Sequence, residues 1–412
     1  MIKNETHFDG SARATFRVAS GMLLLFSMFL LVLNIGCRSD GPTTTASDPQ
    51  LLGSDEQMTL YGTPNKIRVA QVPDGQKTIR FGVVTDTHID ATTSDTKWWG
   101  SDRYGYNNSD YMNRNRNTVY EMNRQLHPND CLGVVHIGDM IEQSPSQDKY
   151  ATQQVIAFRQ LYENDYPGHH AGYIRGRSEN YSNGNRVNVP VFPTVGNHDS
   201  PAPGSWHKPA DYISERVKGA PGILSFYGRG SYIWRWGMYV FIQLGLWAGS
   251  NDVWNAPPLR DSDVDLAKLT WLKEWLKNNV GDSNLGILIF QHYGFGCGEQ
   301  WWTKAMETSE LNVLCRREKE TDPSNPYNII GIFVGHQHNW GQDRVYAGKD
   351  SLGKDVYFDQ YRFPDVGKDT DHQYFGYGYA VVWLKETQMT IDWRNGNNGK
   401  WSHIEKSIHT GR

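Results

Sequence analysis

Five apolar runs in this chain end on side chains that can hold a metal ion or move a proton. "RFGVVTDTHID" delivers Asp86 and His88, and "CLGVVHIGDMIE" delivers Asp139, with Glu142 three residues on. "VFPTVGNHD" delivers Asn197, His198 and Asp199, "NLGILIFQHYG" delivers His292, and "NIIGIFVGHQH" delivers His336 and His338. Imidazole and carboxylate without cysteine suit borderline and hard divalent ions such as Mn, Fe, Zn, Co or Ni rather than a thiolate site. Asp86, His88, Asp139, Asn197, His292, His336 and His338 are too many donors for one ion. Two ions about 3.5–4 Å apart, sharing one carboxylate, use them economically. Each motif alone has an ordinary reading: Gly-Asp and Gly-Asn are turn formers, and a lone His after a strand is usually a hydrogen-bonded loop residue. Five such endings in register with five strand ends are a different matter.

The runs that carry these residues read as strands buried on both faces, the type found in α/β sheets. Helical spacing lies between them. Val119, Met122 and Leu126 share one face, as do Val155, Phe158 and Leu161, and Leu269, Leu272 and Leu276. Asp261 to Asp263 supply acidic helix-start material before the last of these. Strands alternating with helices predict a largely parallel sheet, and ligands bind at the carboxyl ends of such strands. All five polar clusters sit at those ends. His136 lies inside its strand, and His169, His170 and His207 belong to no motif; these four read as ordinary structural or surface histidines.

In order and spacing, "DTH", "GDMIE", "GNHD", "QH" and "GHQH" resemble the motifs of the calcineurin-like metallophosphoesterase family, over Asp86 to His338. "SYIWRWGMYVFIQLG" followed by "WLKEWLK" is similar to the hairpin and helix in the middle of bacterial members. The resemblance implies an α/β fold, an αββα four-layer sandwich of two mixed sheets flanked by helices. It implies that Asp86, His88 and His338 hold one divalent ion, that Asn197, His292 and His336 hold a second, and that Asp139 bridges them. His198 and Asp199 would form the catalytic side of the site, with His198 facing the leaving oxygen while Asp199 and Glu142 orient their neighbours. The reaction so implied is hydrolysis of a phosphoester by hydroxide generated at the two ions, with His198 as general acid. Purple acid phosphatases carry Tyr and Gly where this chain has Glu142 and His88, so a tyrosinate chromophore is not expected. Within the same site the alternatives are a phosphodiesterase or nuclease, or a phospholipid-head-group hydrolase. A non-catalytic scaffold should have lost ligands or the acid His, and this chain keeps them.

The 412 residues carry a formal net charge of −4, which gives no global basic field for nucleic acid. No protein partner is indicated. Lys3, Arg13 and Arg17 precede an apolar stretch at residues 22–35 that ends in "NIGC". This resembles a bacterial lipoprotein signal with Cys37 as the lipidated residue; the alternative is an uncleaved anchor helix. Either reading predicts an exported chain attached to a membrane through an N-terminal lipid or anchor. The expected organisation is a signal at 1–36, a Ser/Thr/Asp/Gly/Pro-rich tether at 37–62 and the phosphoesterase domain at 63–412. Insertions are expected at about 91–114, 164–189 and 294–324. Trp98, Trp99, Tyr104, Tyr106, Tyr111, Trp301 and Trp302 in these insertions either pack them onto the body or rim the site. Cys131 opens a strand and reads as a buried thiol, whereas Cys297 and Cys315 could pair in an oxidising compartment.

Overall fold

Each of the five apolar runs forms a strand. β1 (Ile79–Val84) is followed by α1 (Asn108–Gln125), β2 (Val134–His136) by α2 (Asp148–Tyr162), and β3 (Val191–Pro193) by α3 (Lys208–Val217). The antiparallel strands β4 (Ile223–Tyr227), β5 (Ser231–Trp236) and β6 (Tyr239–Leu244) come next. Then follow α4 (Ser262–Asn279), β7 (Gly286–Gln291), α5 (Lys304–Leu314) and β8 (Ile329–Val334). β9 (Gly341–Lys349), β10 (Asp355–Arg362), β11 (Gly378–Lys385), β12 (Gln388–Asn395) and β13 (Trp401–Ser407) end the series. This computed structural model describes residues 64–89, 108–142, 148–163, 186–199, 208–228, 230–246, 262–298, 302–367 and 377–408. All fall in one unit, Leu52–Arg412.

The strands make two mixed sheets, one ordered β13-β12-β11-β1-β2-β3 and the other β4-β5-β6-β7-β8-β10-β9. The parallel character expected from the sequence holds in the middle of each sheet. β1, β2 and β3 are parallel, as are β6, β7, β8 and β10. β11 runs antiparallel to β1, and β9 antiparallel to β10. The product is an α/β sandwich of two mixed sheets with flanking helices.

The period-2 alternation of strand side chains sets the layers. On β5 and β6, Trp234, Trp236 and Phe241 join the core between the sheets. Their neighbours Ile233, Val240 and Ile242 face a second core with Leu269, Leu272 and Leu276 of α4 and Leu314 of α5. Met122 of α1, Phe158 of α2 and Ile213 of α3 belong to the first core. Aromatic rings join the sheets directly: Phe192 of β3 stacks on Trp234 at 4.7 Å, and Phe81 of β1 meets Phe241 edge-on at 5.2 Å. Such pairs contribute about 0.5–1.5 kcal/mol beyond area burial.

Some of the alternatives left open by the sequence are decided here. Tyr111 and Trp302 are buried, so neither rims a site. The polar run "NSDYMNRNRN" starts α1 at Asn108, inside the segment 91–114 read as an insertion. Cys297 and Cys315 are separate thiols, and Cys131 is a buried thiol as expected. Trp98, Trp99, Tyr104, Tyr106, Trp301, His169, His170 and His207 lie outside the described residues. So do Cys37, the apolar stretch before it and residues 37–62. Among the described residues no helix is long and apolar enough to cross a membrane.

Candidate metal centre

Parallel strands exit at the same edge, and here both sheets present that edge to one place. Asp86 and His88 follow β1, Asp139 follows β2 and Asn197 follows β3. His292 follows β7, and His336 and His338 follow β8. All seven converge. His338 Nε2 lies 3.1 Å from Asp86 Oδ1 and 3.5 Å from His88 Nε2. Asn197 Oδ1 lies 3.0 Å from both His292 Nε2 and His336 Nδ1. Asp139 Oδ2 stands between the two sets, 3.7 Å from His88 Nε2 and 3.2 Å from His292 Nε2. Asp86 Oδ1 also reaches toward the second set, 3.9 Å from His292 Nε2.

These separations bear on whether the donors fit metal ions. Two ligands about 2.1 Å from one ion and at right angles lie about 3 Å apart. The spacing within each set, 3.0 to 3.7 Å, is that of groups aimed at a common point. Asp86, His88, Asp139 and His292 are buried, while Asn197, His198, His336 and His338 are half-buried and form the open side. The residues present therefore fit a pair of divalent ions in donor type and in spacing.

The backbone is bent to place these donors. Among the described residues six non-glycine positions have positive φ, and five of them are Asp86, His88, Asp139, His336 and His338. The left-handed region costs a β-carbon roughly 1–3 kcal/mol, and such residues concentrate at functional sites. Two glycines allow close approach between loops. A β-carbon on Gly196 would stand 2.2 Å from Asp139 Oδ1, and one on Gly335 would stand 2.1 Å from Thr85 Oγ1.

An ion pair and hydrogen bonds fix the rings and loops. His88 turns Nδ1 to Glu142 Oε2 at 2.8 Å, and His292 Nδ1–H donates to the Ile137 carbonyl at 2.9 Å. The His198 backbone N–H donates to Asp139 Oδ1 at 2.8 Å, and its ring donates Nδ1–H to the Glu142 carbonyl. Glu142 thus serves both rings, with its carboxylate on one and its carbonyl on the other. Asp199 is fully buried, and its carboxylate accepts from the N–H groups of Met140, Ile141 and Gly196 at 2.9–3.2 Å. It clasps the loop after β2 to the loop after β3. Burial pushes its pKa up to about 7, helped by Asp139 and opposed by the amides.

Charge and burial compete at the rings. Burial opposes protonation of His88, but Glu142, Asp86 and Asp139 prevail and raise it to about 10. Burial likewise opposes protonation of His292, which Asp139 and Asp86 raise to about 9. Desolvation, with His292 beside it, pushes His336 down to about 3.

Sequence reasoning set His136 aside as a buried strand residue, and buried it is. Its Nδ1 accepts from Gly138 N–H at 3.3 Å, so Nε2–H donates to Thr87 Oγ1 at 3.0 Å. Thr87 Oγ1–H in turn donates to the Met140 carbonyl at 2.9 Å. The ring thereby ties the loop of Asp86 and His88 to that of Asp139. Sequence reasoning missed Asp365, whose Oδ2 lies 3.8 Å from His338 Nδ1. Its signal was faint: β10 alternates "VYFDQYR" rather than running apolar, although "FPD" after it is again a strand ending in a carboxylate.

The chain matches one family model, Calcineurin-like phosphoesterase, over residues 79–340. No curated protein matches it. Among solved structures, 18 chains match. A structure of PhoD aligns at TM-score 0.48 and 12% identity, covering 83% of this chain and 72% of that one. GAP50, the anchor in the inner membrane complex of Plasmodium, aligns at TM-score 0.41 and 12% identity, covering 81% and 90%. A predicted phosphoesterase from Streptococcus pneumoniae aligns at TM-score 0.27 and 10% identity, covering 80% and 98%.

Proposed function

The chain belongs to the calcineurin-like phosphoesterase family, and from that premise we propose that it hydrolyses a phosphoester at a pair of divalent ions, with His198 as proton donor. The observation that carries the reading is the convergence of seven donors from five strand ends, with Asp139 Oδ2 between His88 at 3.7 Å and His292 at 3.2 Å. Asp86, His88 and His338 would hold one ion, Asn197, His292 and His336 the other, and Asp139 both. When bound, such ions lower the pKa of water toward neutrality and offset charge on phosphoryl oxygens.

The chain's own residues supply the rest. His198 gives Nδ1–H to the Glu142 carbonyl, which leaves Nε2 as the nitrogen that can carry a proton to a departing alkoxide. Its backbone N–H holds Asp139 Oδ1, so the acid and the bridging carboxylate keep register with each other. Asp199 holds the two loops that carry them and acts through the backbone rather than on substrate. Thr85 Oγ1–H donates to Asp86 Oδ2 at 2.5 Å, leaving Oδ1 to face the imidazoles. The exported, membrane-attached placement through Cys37 is part of the same proposal.

The test is hydrolysis of p-nitrophenyl phosphate and bis-p-nitrophenyl phosphate by the chelated protein with and without added Mn²⁺. Metal-dependent turnover of either ester is expected, and the preferred one separates monoesterase from diesterase. No turnover of either with two equivalents of metal bound would overturn the hydrolytic reading.

A further inference from the structure

A sixth strand ends at the same edge as the five that carry the donors. β10 is parallel to β8, pairing Gln360 with Ile332 and Arg362 with Val334. The chain therefore leaves β10 beside the loop of His336 and His338. The departing segment, residues 363–367, is fixed on two sides. Phe363 N–H donates to the Val334 carbonyl at 3.1 Å, and the Phe363 ring stacks on Phe333 at 5.8 Å. Val366 and Gly367 N–H donate to the Asp86 carbonyl, both at 3.1 Å. Arg114 of α1 donates to the Gly367 carbonyl at 3.1 Å. The segment joins the β8 end of one sheet to the Asp86 loop of the other, and it lies beyond the matched residues 79–340.

Asp365, 3% exposed, sits in the middle of this segment. Its Oδ2 is 3.8 Å from His338 Nδ1, while the ring's other nitrogen faces Asp86 Oδ1 at 3.1 Å. Two other imidazoles of the site are arranged the same way. Each of His88 and His292 turns Nε2 to the cluster and Nδ1 to an oxygen, Glu142 Oε2 at 2.8 Å and the Ile137 carbonyl at 2.9 Å. A histidine that ligates through one nitrogen almost always donates the other N–H to a carboxylate or carbonyl, which fixes its tautomer and orientation.

We propose that Asp365 is a positioning residue of the metal centre: it takes the Nδ1–H of His338 and holds Nε2 toward the ion shared with Asp86 and His88. The inference rests on the dinuclear reading above and adds a residue from outside the family's matched span. The 3.8 Å separation is an ion-pair distance, longer than a hydrogen bond, and the proposal requires it to shorten when His338 takes up an ion. A purely architectural role for Asp365 would affect folding of the 363–367 segment and both ion sites together. A positioning role affects one site.

The experiment is Mn²⁺ titration of the chelated full chain by calorimetry, with electron paramagnetic resonance to distinguish coupled from isolated ions. Wild type should bind two Mn²⁺ with a coupled signal. Asp365→Ala should keep the wild-type circular dichroism spectrum and weaken one site by roughly 10–100-fold. At intermediate Mn²⁺ its signal should be that of an isolated ion. Asp365→Asn, which keeps the shape but not the charge, should fall between the two. Two sites of wild-type affinity in a folded Asp365→Ala protein overturn the proposal. If Asp365→Ala does not fold, Asp365→Asn decides, and wild-type affinity at both of its sites overturns the carboxylate's role. A wild-type chain that binds only one Mn²⁺ removes the dinuclear reading itself and the proposal with it, a result distinct from unequal behaviour of the variants.

Discussion

Replacing His198 by alanine separates proton donation from metal binding, because the structure divides this residue's duties between ring and backbone. The bond to Asp139 Oδ1 comes from the backbone N–H and survives the substitution. The ring's bond goes to the Glu142 carbonyl, while the Glu142 carboxylate stays on His88. His198→Ala should therefore keep both ions. On the proposed role it loses a general acid, worth roughly 10²–10⁴-fold, or about 3–5 kcal/mol of transition-state stabilisation. The full loss should appear only where the leaving group needs the proton. For alkyl phosphates, whose alkoxides are strong bases, kcat should fall by roughly the upper part of that range. For p-nitrophenyl phosphate, whose leaving group departs readily as an anion, the fall should stay near tenfold or below. The assay is kcat across a series of aryl and alkyl phosphates, with metal content measured on the same samples. The dependence of rate on leaving-group pKa should steepen in the variant. Equal losses across the series with two ions bound would refute proton donation and assign His198 to electrostatic positioning of the phosphate.

Asp139→Asn tests the bridge: Asn tolerates the residue's φ of 52° and keeps its shape, so loss of metal and activity together can be assigned to the charge, and two tightly bound ions with wild-type turnover would refute it. Chelation should lower the melting temperature, by the equivalent of about 4 kcal/mol if the free metal had stood at 1,000 times its Kd, and an unchanged midpoint would argue that no ion binds the folded chain in preference to the unfolded one. Glu310, buried on α5 and bonded by Gln291 at 3.2 Å, is raised by burial to about 8, with Glu307 adding to the effect. The folded state keeps its proton while the unfolded chain releases it, so this residue lowers stability progressively as pH rises from about 4.5 through 8, by at most about 1.4 kcal/mol per pH unit. Glu310→Gln should melt above wild type by a margin that grows between pH 5 and pH 8; a margin independent of pH would contradict this. Cys37→Ser should leave an unprocessed precursor that no longer takes up a fatty-acid analogue, and persistent labelling would exclude lipidation there.

The legible part of this chain was the part where physical signals coincide. "VVTDTH" and "FVGHQH" each switch within one residue from apolar to ligand, because a strand buried on both faces must stop where it meets a polar site. The helix faces of Val119 and Met122, of Phe158 and Leu161, and of Leu269 and Leu272 were readable for the same reason, and all are buried. The mixed order of the sheets was not readable from periodicity. β11 and β12 look like any hairpin, and nothing local says that β11 pairs with β1, about 300 residues before it in the chain. Asp365 was hidden by a strand that alternates, since β10 is half-buried and lacks the continuous apolar run that marked the others. The role of Asp199 was visible only as a neighbour of His198. That its partners are three backbone amides on two loops is a fact of tertiary geometry.

The division of donors between the sheets links packing to chemistry. Asp86, His88, Asp139 and Asn197 hang from β1, β2 and β3, while His292, His336 and His338 hang from β7 and β8. Each proposed ion would take ligands from both sheets, since His338 joins Asp86 and His88, and Asn197 joins His292 and His336. The distances within each set therefore depend on the separation of the sheets. That separation is held by large rings at the interface: Phe192 on Trp234 at 4.7 Å, Phe81 on Phe241 at 5.2 Å, and Phe81 on Phe290 at 6.0 Å. Close-packed interiors deform little, so these rings set the spacing of the loops above them. The residues at positive φ lie where the loops leave those strands, and there the chain accepts conformations that glycine would adopt at lower cost. A glycine at Asp86, His88, Asp139, His336 or His338 would relieve the backbone and remove a donor. That the chain carries carboxylate and imidazole at all five, with glycine immediately before Asp139 and His336, is the pattern expected when side-chain chemistry, rather than backbone ease, decides the residue.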